Sequence, residues 1–330
     1  MNFEDALPTV LLYDPAVSSL NIGDHIISDS CDRELAPILE QSFVVRISSH
    51  LPVSRYLTYI GDVEHRFVCG SNLLRGRMNS RFRQWDVTPR WARQVGPATL
   101  LGVGWWQYGD ELNTYTRRLY RTVLDRDITH SVRDEFTADR LRSMGFNVLN
   151  TGCPTMWQLT EDHCAQIPSH QGARVVTTVT DYRRDPTRDR AMLMTLGDLY
   201  GQVLIWIQGS GDLPYLRSLD LPRETFNLIS PTLTAYDDVL SMPGTDYVGT
   251  RLHAGIRALQ HGRRSLILGV DNRAAETHRD FNVPFLARED ISSLGGVVSR
   301  PIATSVRIPE DAIRTWRRQF PQLRKTTDQS

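Results

Sequence analysis

The sequence predicts an α/β protein built from two successive parallel-sheet units, and three observations carry that expectation. Short runs rich in Val, Ile and Leu alternate with amphipathic stretches, the pattern of a mostly parallel sheet covered by helices. The chain of 330 residues is longer than one core usually organises. A polar segment containing Pro168 and Gly172 divides the apolar runs into two series of similar size. The first series predicts strands at 9–13, 43–47, 66–69, 99–103, 128–131 and 146–149. The second predicts them at 174–179, 203–207, 226–229, 247–249, 265–268 and 284–286. The expected organisation is an N-terminal α/β domain over 1–160, a linker over 161–173, a C-terminal α/β domain over 174–305, and a C-terminal helix and tail over 306–330. In that last part Ile313 and Trp316 lie three apart, which predicts a helix packing back across the domains, with a disordered tail from Lys325 on. Two such units place a ligand cleft between them, because open parallel sheets bind ligands outside the carboxyl ends of their strands.

Composition removes several classes of function. Lys+Arg and Asp+Glu both total 38, so the formal net charge is zero, and no basic stripe or tail points to nucleic acid. The sole lysine is Lys325, which excludes a phosphate-loop lysine and argues against a Schiff base. Cys31, Cys69, Cys153 and Cys164 are widely spaced without a CxxC pair, so neither zinc nor a disulfide framework is expected. The acidic start, Met1 to Asp5, lacks the features of a signal peptide. The apolar stretch around 100–106 is too short and glycine-interrupted to cross a bilayer. The expectation is a cytoplasmic protein, with peripheral contact at the inner face of the membrane left open.

The candidate site residues cluster at predicted strand ends. Asn21-Ile22-Gly23-Asp24 follows the first strand and opens a helix, Gly23 allowing a tight turn and Asp24 serving as N-cap. Gly70-Ser71-Asn72 follows the third strand. Gly102-Val103-Gly104-Trp105-Trp106 ends the fourth, where glycines admit a ligand to the backbone and Trp105, Trp106 and Tyr108 could stack on a sugar; packing is the favoured account of any one aromatic. Arg133, in Ser131-Val132-Arg133-Asp134-Glu135, stands before a helix that ends near Gly145, and either faces a ligand or pairs with Asp134 to hold the turn. Gly152-Cys153-Pro154-Thr155 is another turn that could present Thr155. Arg183 and Arg184 follow the first strand of the second series.

The segment Gly249-Thr250-Arg251-Leu252-His253-Ala254-Gly255-Ile256 is the most pointed of these. Leu252, Ile256 and Leu259 share one helix face, so Arg251 and His253 fall in the first turn. There the unpaired amides and the helix dipole favour a carboxylate or phosphate, and an arginine adds a two-pronged donor. Ordinary strand-to-helix punctuation is the competing account.

Taken together, Asn-x-Gly-Asp, Val-Arg-Asp before a helix ending in Gly, Gly-Cys-Pro-Thr, and Gly-x-Arg-Leu-His-Ala continuing through Ile256-Arg257-Ala258-Leu259 to Gly262 resemble the polysaccharide pyruvyl transferases, over roughly residues 20 to 270. The glycine pair expected after the third strand stands here as Gly70-Ser71. The resemblance implies a GT-B-like fold, two Rossmann-like domains facing across a cleft, with the acceptor on the N-terminal side and phosphoenolpyruvate on the C-terminal side. It implies transfer of the enolpyruvyl-derived group to two hydroxyls of a sugar, giving a pyruvate ketal and phosphate. The acceptor implied is a lipid-linked, nucleotide-linked or polymeric glycan of a bacterial surface.

On that reading Arg251, the Leu252 amide and the helix start bind the donor. Protonation of its methylene carbon needs a general acid, and histidine is the side-chain type that ordinarily titrates near neutrality, so His253 is the candidate. Asp24 is the candidate base, Arg133 neutralises phosphate or acceptor charge, and Asn21, Gly23, Asn72, Trp105, Thr155 and Arg183 complete the expected substrate contacts. No metal or cofactor is expected, since arginines can stabilise the charge. Two alternatives stay open: a GT-B glycosyltransferase using a nucleotide sugar, and an inactive sugar-binding protein. The triplet Asp125-Arg126-Asp127 precedes a strand and is read as a chance match to a metal-binding Asp-x-Asp.

Overall fold

The computed structural model describes residues 7–53, 55–107, 109, 111–222 and 224–327. Residues 1–5, Tyr108 and the last three residues of the expected tail lie outside them. The chain divides into two compact units. The first takes residues 1–19, 27–157 and 309–330; the second takes 20–26 and 158–308.

The first unit carries strands β1 (Thr9–Asp14), β2 (Phe43–Ser48), β3 (His65–Cys69), β4 (Thr99–Leu101), β5 (His130–Val132) and β6 (Val148–Asn150). Its helices are α1 (Ile22–Leu39, first turn counted with the second unit), α2 (Ala92–Val95), α3 (Thr114–Val123) and α4 (Glu135–Arg142). All pairings are parallel, in the order β2-β1-β3-β4 with β5-β6 as a separate pair. The predicted strand at 99–103 stops at Leu101 because Gly102 turns to φ +65°, and a Cβ there would lie 2.1 Å from Pro154 Cδ. Only glycine accepts both the dihedral and the approach. Past the turn, the Gly102 amide donates to the Ser131 carbonyl (3.0 Å) and Val103 bridges Val132, so β5 continues the sheet direction. The result is a doubly wound order whose reversal lies between β1 and β3.

Helix α1 does not use Asp24 as its N-cap, as the sequence suggests. Asn21 Oδ1 accepts from the Gly23 amide (3.1 Å), and Asp24 sits one turn inside, where an acidic side chain complements the helix dipole.

The second unit comprises α5 (Glu161–Ala165), β7 (Arg174–Thr177), α6 (Pro186–Leu199), β8 (Gln202–Trp206), α7 (Asp212–Arg217), β9 (Phe226–Ile229), α8 (Leu233–Ser241), β10 (Thr245–Gly249), α9 (Leu252–Gln260), β11 (Ser265–Gly269), α10 (Asn272–Phe281), β12 (Phe285–Ala287) and α11 (Leu294–Val298). Its six strands form one parallel sheet, β12-β11-β10-β7-β8-β9. Read from the β9 edge, this is the 3-2-1-4-5-6 order of the dinucleotide-binding fold, with its reversal between β7 and β10. The stretch expected as a linker begins with α5, whose first turn is capped by Thr160.

The C-terminal helices α12 (Glu310–Arg318) and α13 (Pro321–Thr327) belong to the first unit. Trp316, fully buried, meets the rings of Phe67, Trp157 and Phe320 at centroid distances of 6.4, 5.8 and 5.1 Å. Residues 325–327, expected in a disordered tail, close α13. No helix among the described residues is long and apolar enough to cross a membrane.

His130 joins β4 to β5 from inside the core. The Leu100 amide donates to its Nδ1 (3.1 Å), so Nε2 carries the proton and donates to the Asp125 carbonyl (2.7 Å). Burial, only partly opposed by Asp125, lowers its pKa to about 4. The neutral ring is therefore part of the native state, while the unfolded chain binds a proton below about pH 6.5. Stability is full above that value and falls as pH drops towards 4, by about 3 kcal/mol. Denaturant titrations between pH 7 and 4 should show this loss, and His130→Gln should lose correspondingly less over the same window.

Candidate active site at the strand ends of the second unit

The reversal between β7 and β10 is where a doubly wound sheet opens a ligand crevice, and the chain there is locked by hydroxyls. Thr178 Oγ1 and Tyr247 Oη lie 2.7 Å apart, and both accept from the Arg251 amide at 3.2 Å. Tyr247 Oη in turn donates to the Arg251 carbonyl (2.9 Å). Gly249 is required by this knot: a Cβ would come within 2.7 Å of the Thr178 amide and 2.8 Å of Tyr247 Oη. Thr180 and Thr250 pair through their hydroxyls at 2.8 Å.

Arg251 is held where these strands end. Its side chain is buried, with Nε donating to the Val179 carbonyl (3.1 Å) and Nη2 to Asp181 (3.0 Å) and Asp212. The Tyr182 ring covers the guanidinium, 5.1 Å from its carbon. Asp212 is fully buried at the start of α7 and also accepts from the Gly209 amide at 2.7 Å. Burial pushes its carboxyl above the ordinary range, against the lowering effect of Arg251. The loop Gly209-Ser210-Gly211 must be this lean, since Cβ atoms on its glycines would approach Arg251 Nη2 to 2.7 Å and Asp181 Oδ2 to 2.2 Å.

This corrects the expectation that Arg251 offers its whole fork to an anion. Two carboxylates and a carbonyl occupy Nε and Nη2, leaving Nη1 as the nitrogen without a hydrogen-bond partner among the described residues. Arg251 is nonetheless the N-cap of α9, and no side chain caps that helix start, where Leu252 and the half-buried His253 form the first turn. Asn21, Gly23 and Asp24 fall in this same unit. Asn21 Oδ1 accepts from Gln208 Nε2 (2.9 Å), and the Ile22 amide donates to the Gln208 carbonyl (2.9 Å). A Cβ at Gly23 would lie 2.6 Å from Gln208 Nε2. Gln208 is 4% exposed, and its Oε1 has no partner among the described residues. Arg183 is exposed in a 3-10 turn, and its carbonyl, not its side chain, meets Arg288 (2.6 Å).

Sequence reasoning missed Asp181, Tyr182, Gln208, Asp212 and Arg273, whose guanidinium stacks on Tyr182 at 5.5 Å. The signal was present in Gly209-Ser210-Gly211-Asp212, a glycine-rich turn ending in an acid at a strand end, like Asn21-Ile22-Gly23-Asp24.

In the first unit, Asn72 and Arg133 come together over Gly104, where a Cβ would lie 2.7 Å from Asn72 Oδ1 and 2.2 Å from Arg133 Nε. Arg133 also pairs with Asp134 at 3.5 Å, and Asp134 caps α4 through the Thr137 amide (2.7 Å). Trp105 does not face a ligand. It is 1% exposed, edge-on to Tyr120 and Phe136 in the core. Thr155 is fully buried, so it too is enclosed in the interior.

A family model described as polysaccharide pyruvyl transferase matches residues 21–272 of the chain. No match was found among curated proteins. Among solved structures, an E. coli heptosyltransferase, WaaC, with ADP-2-deoxy-2-fluoro heptose is 12% identical at a TM-score of 0.34, covering 79% of this chain and 88% of that one. LpCGTa in complex with UDP is 12% identical at a TM-score of 0.45, covering 98% of each chain. Likeness at that level fixes neither activity nor substrate.

The two carboxylates on Arg251 differ in burial, Asp212 at 0% side-chain exposure and Asp181 at 29%, which makes their removal unequal. Asp212→Ala should lower the unfolding free energy by about 3 kcal/mol, the cost of breaking a buried pair. Asp181→Ala should cost at most about 1 kcal/mol. Urea denaturation measures both, and equal costs would contradict this account of the ion cluster.

Proposed function

Because the chain belongs to the polysaccharide pyruvyl transferase family, we propose that it transfers the enolpyruvyl-derived group of phosphoenolpyruvate onto two hydroxyls of one sugar in a bacterial surface polysaccharide or its precursor. The observation that carries this reading is the uncapped start of α9 at the β7–β10 reversal, with Arg251 and His253 in place there. A helix start in that position binds anions through its amides and dipole, and phosphoenolpyruvate brings both a phosphate and a carboxylate.

The donor's phosphate takes the α9 amides and Arg251 Nη1, while Asp181 and Asp212 keep the guanidinium from turning. His253 delivers a proton to the methylene carbon, which becomes a methyl group and leaves C2 electrophilic. A sugar hydroxyl adds to C2 and gives its proton to Asp24. Phosphate then departs with the C2–O bond pair and takes the proton held by Asp24, and a neighbouring hydroxyl of the same sugar closes the ketal, its proton restoring His253. Donor and diol thus balance against ketal and inorganic phosphate without redox chemistry. The first unit, with Asn72 and Arg133 beyond its own strand ends, is assigned to the acceptor.

Phosphate release from phosphoenolpyruvate, measured against a panel of lipid-linked and simple glycosides, tests the reading. Acceptor-dependent release should fall by about 100-fold or more in His253→Ala, the usual contribution of a general acid, with the unfolding midpoint unchanged. Absence of release with every acceptor, together with turnover of a nucleotide sugar, would replace pyruvyl transfer by glycosyl transfer.

A further inference from the structure

The first unit contains a cavity of about 420 Å³ that the strand-end residues do not use. Its walls include Leu11, Leu57, Ile60, Arg66, Arg93 and Gln94. Leu11 and Arg66 are paired neighbours across β1 and β3, near the amino end of β3, and Arg93 and Gln94 lie on α2, ahead of β4. Asn72 and Arg133 lie past the carboxyl ends of β3 and β5 instead. The volume is that of a small-molecule site, for which about 300–1,000 Å³ is usual.

Its chemistry is lopsided. Leu11 and Leu57 are core residues at 1% and 9% exposure and give an apolar floor. Other half-buried or buried arginines, such as Arg46, Arg251, Arg257, Arg264 and Arg288, meet a carboxylate within 3.0 Å. Neither Arg66 nor Arg93 has an ion-pair partner among the described residues. Arg66 spends Nη1 on the Val63 carbonyl (3.3 Å), while its Nε is buried without a partner among the described residues. Gln94 Oε1 is likewise buried with no partner among them. Buried donors and acceptors are ordinarily satisfied, so this wall is short of an anion and of a hydrogen-bond donor.

We infer that this cavity binds a small amphiphilic anion, a phosphate or carboxylate on a short apolar body. The anionic group lies on the guanidinium groups of Arg66 and Arg93, and the apolar part lies against Leu11, Leu57 and Ile60. Two cations facing one lining acid, the exposed Asp62, leave the site with a positive balance when empty.

Calorimetric titration of the full chain with octyl phosphate below its micelle concentration, with octanol, and with inorganic phosphate reads this directly. Octyl phosphate should bind at least about tenfold tighter than either of the others, and Arg66→Gln and Arg93→Gln should each weaken it by about tenfold, the worth of one charge-assisted contact. Arg93 is exposed, so its substitution leaves the fold intact even where Arg66→Gln does not. Octanol binding as well as octyl phosphate, or binding indifferent to Arg93→Gln, would overturn the assignment. Binding to vesicles carrying an anionic lipid but not to monomeric octyl phosphate would also overturn it, in favour of a membrane surface. The readout is binding at a place apart from α9, so its failure leaves the pyruvyl-transfer reading standing, and the reverse.

Discussion

A guanidinium taken out of water must be matched by charge and by hydrogen-bond acceptors, and Arg251 meets that demand by collecting groups from two strand ends besides its own. The Val179 carbonyl and Asp181 come from the chain after β7, Asp212 from the turn after β8, and Arg251 itself follows β10. Each of those loops is thereby tied to one planar group. The glycines of Gly209-Ser210-Gly211 and the knot of Thr178, Tyr247 and Gly249 exist at the approach distances this demands. An ion cluster of this kind contributes little net stability over an apolar replacement, but it specifies one arrangement of the loops around it. That is what the start of α9 needs, because amides bind an anion well only when nothing has to reorganise to meet it.

The same economy shapes the first unit. Its sheet changes character at Gly102, whose positive φ ends β4 and lets Pro154 pack against the turn. Around that point the sequence is dense in residues that resemble a binding loop, yet two of them turn inward. Trp105 fills the space between Tyr120 and Phe136, and Thr155 is enclosed beside Cys153. Asn72 and Arg133 remain together over Gly104, which has no side chain to separate them.

How much could be read in advance differs between the fold and the site. Runs such as Val-Leu-Leu-Tyr in β1 and Leu-Ile-Leu in β11 are apolar at consecutive positions, which happens only when both faces of a strand are covered, so the parallel class was visible. The place of 20–26 in the second unit was not visible. It rests on the hydrogen bond that Asn21 accepts from Gln208 and the one that Ile22 donates to it, a residue nearly two hundred positions away that no local pattern connects to them. The partners of Arg251 were hidden for the same reason. An arginine at a helix start reads alike whether it faces solvent or a pair of aspartates, because its own neighbours in sequence do not change.

By itself, then, the sequence determined the alternation of strands and helices, the division into two α/β series, and the motifs that mark strand ends, since all of these follow from side-chain periodicity and turn chemistry within a dozen residues. Only the tertiary structure decided the strand order that puts the reversal between β7 and β10, the ion cluster that commits Arg251, and the burial of Trp105 and Thr155. Those outcomes depend on which distant segments share a desolvated space, and the cost of burying a charge or of filling a cavity is set by whatever arrives there.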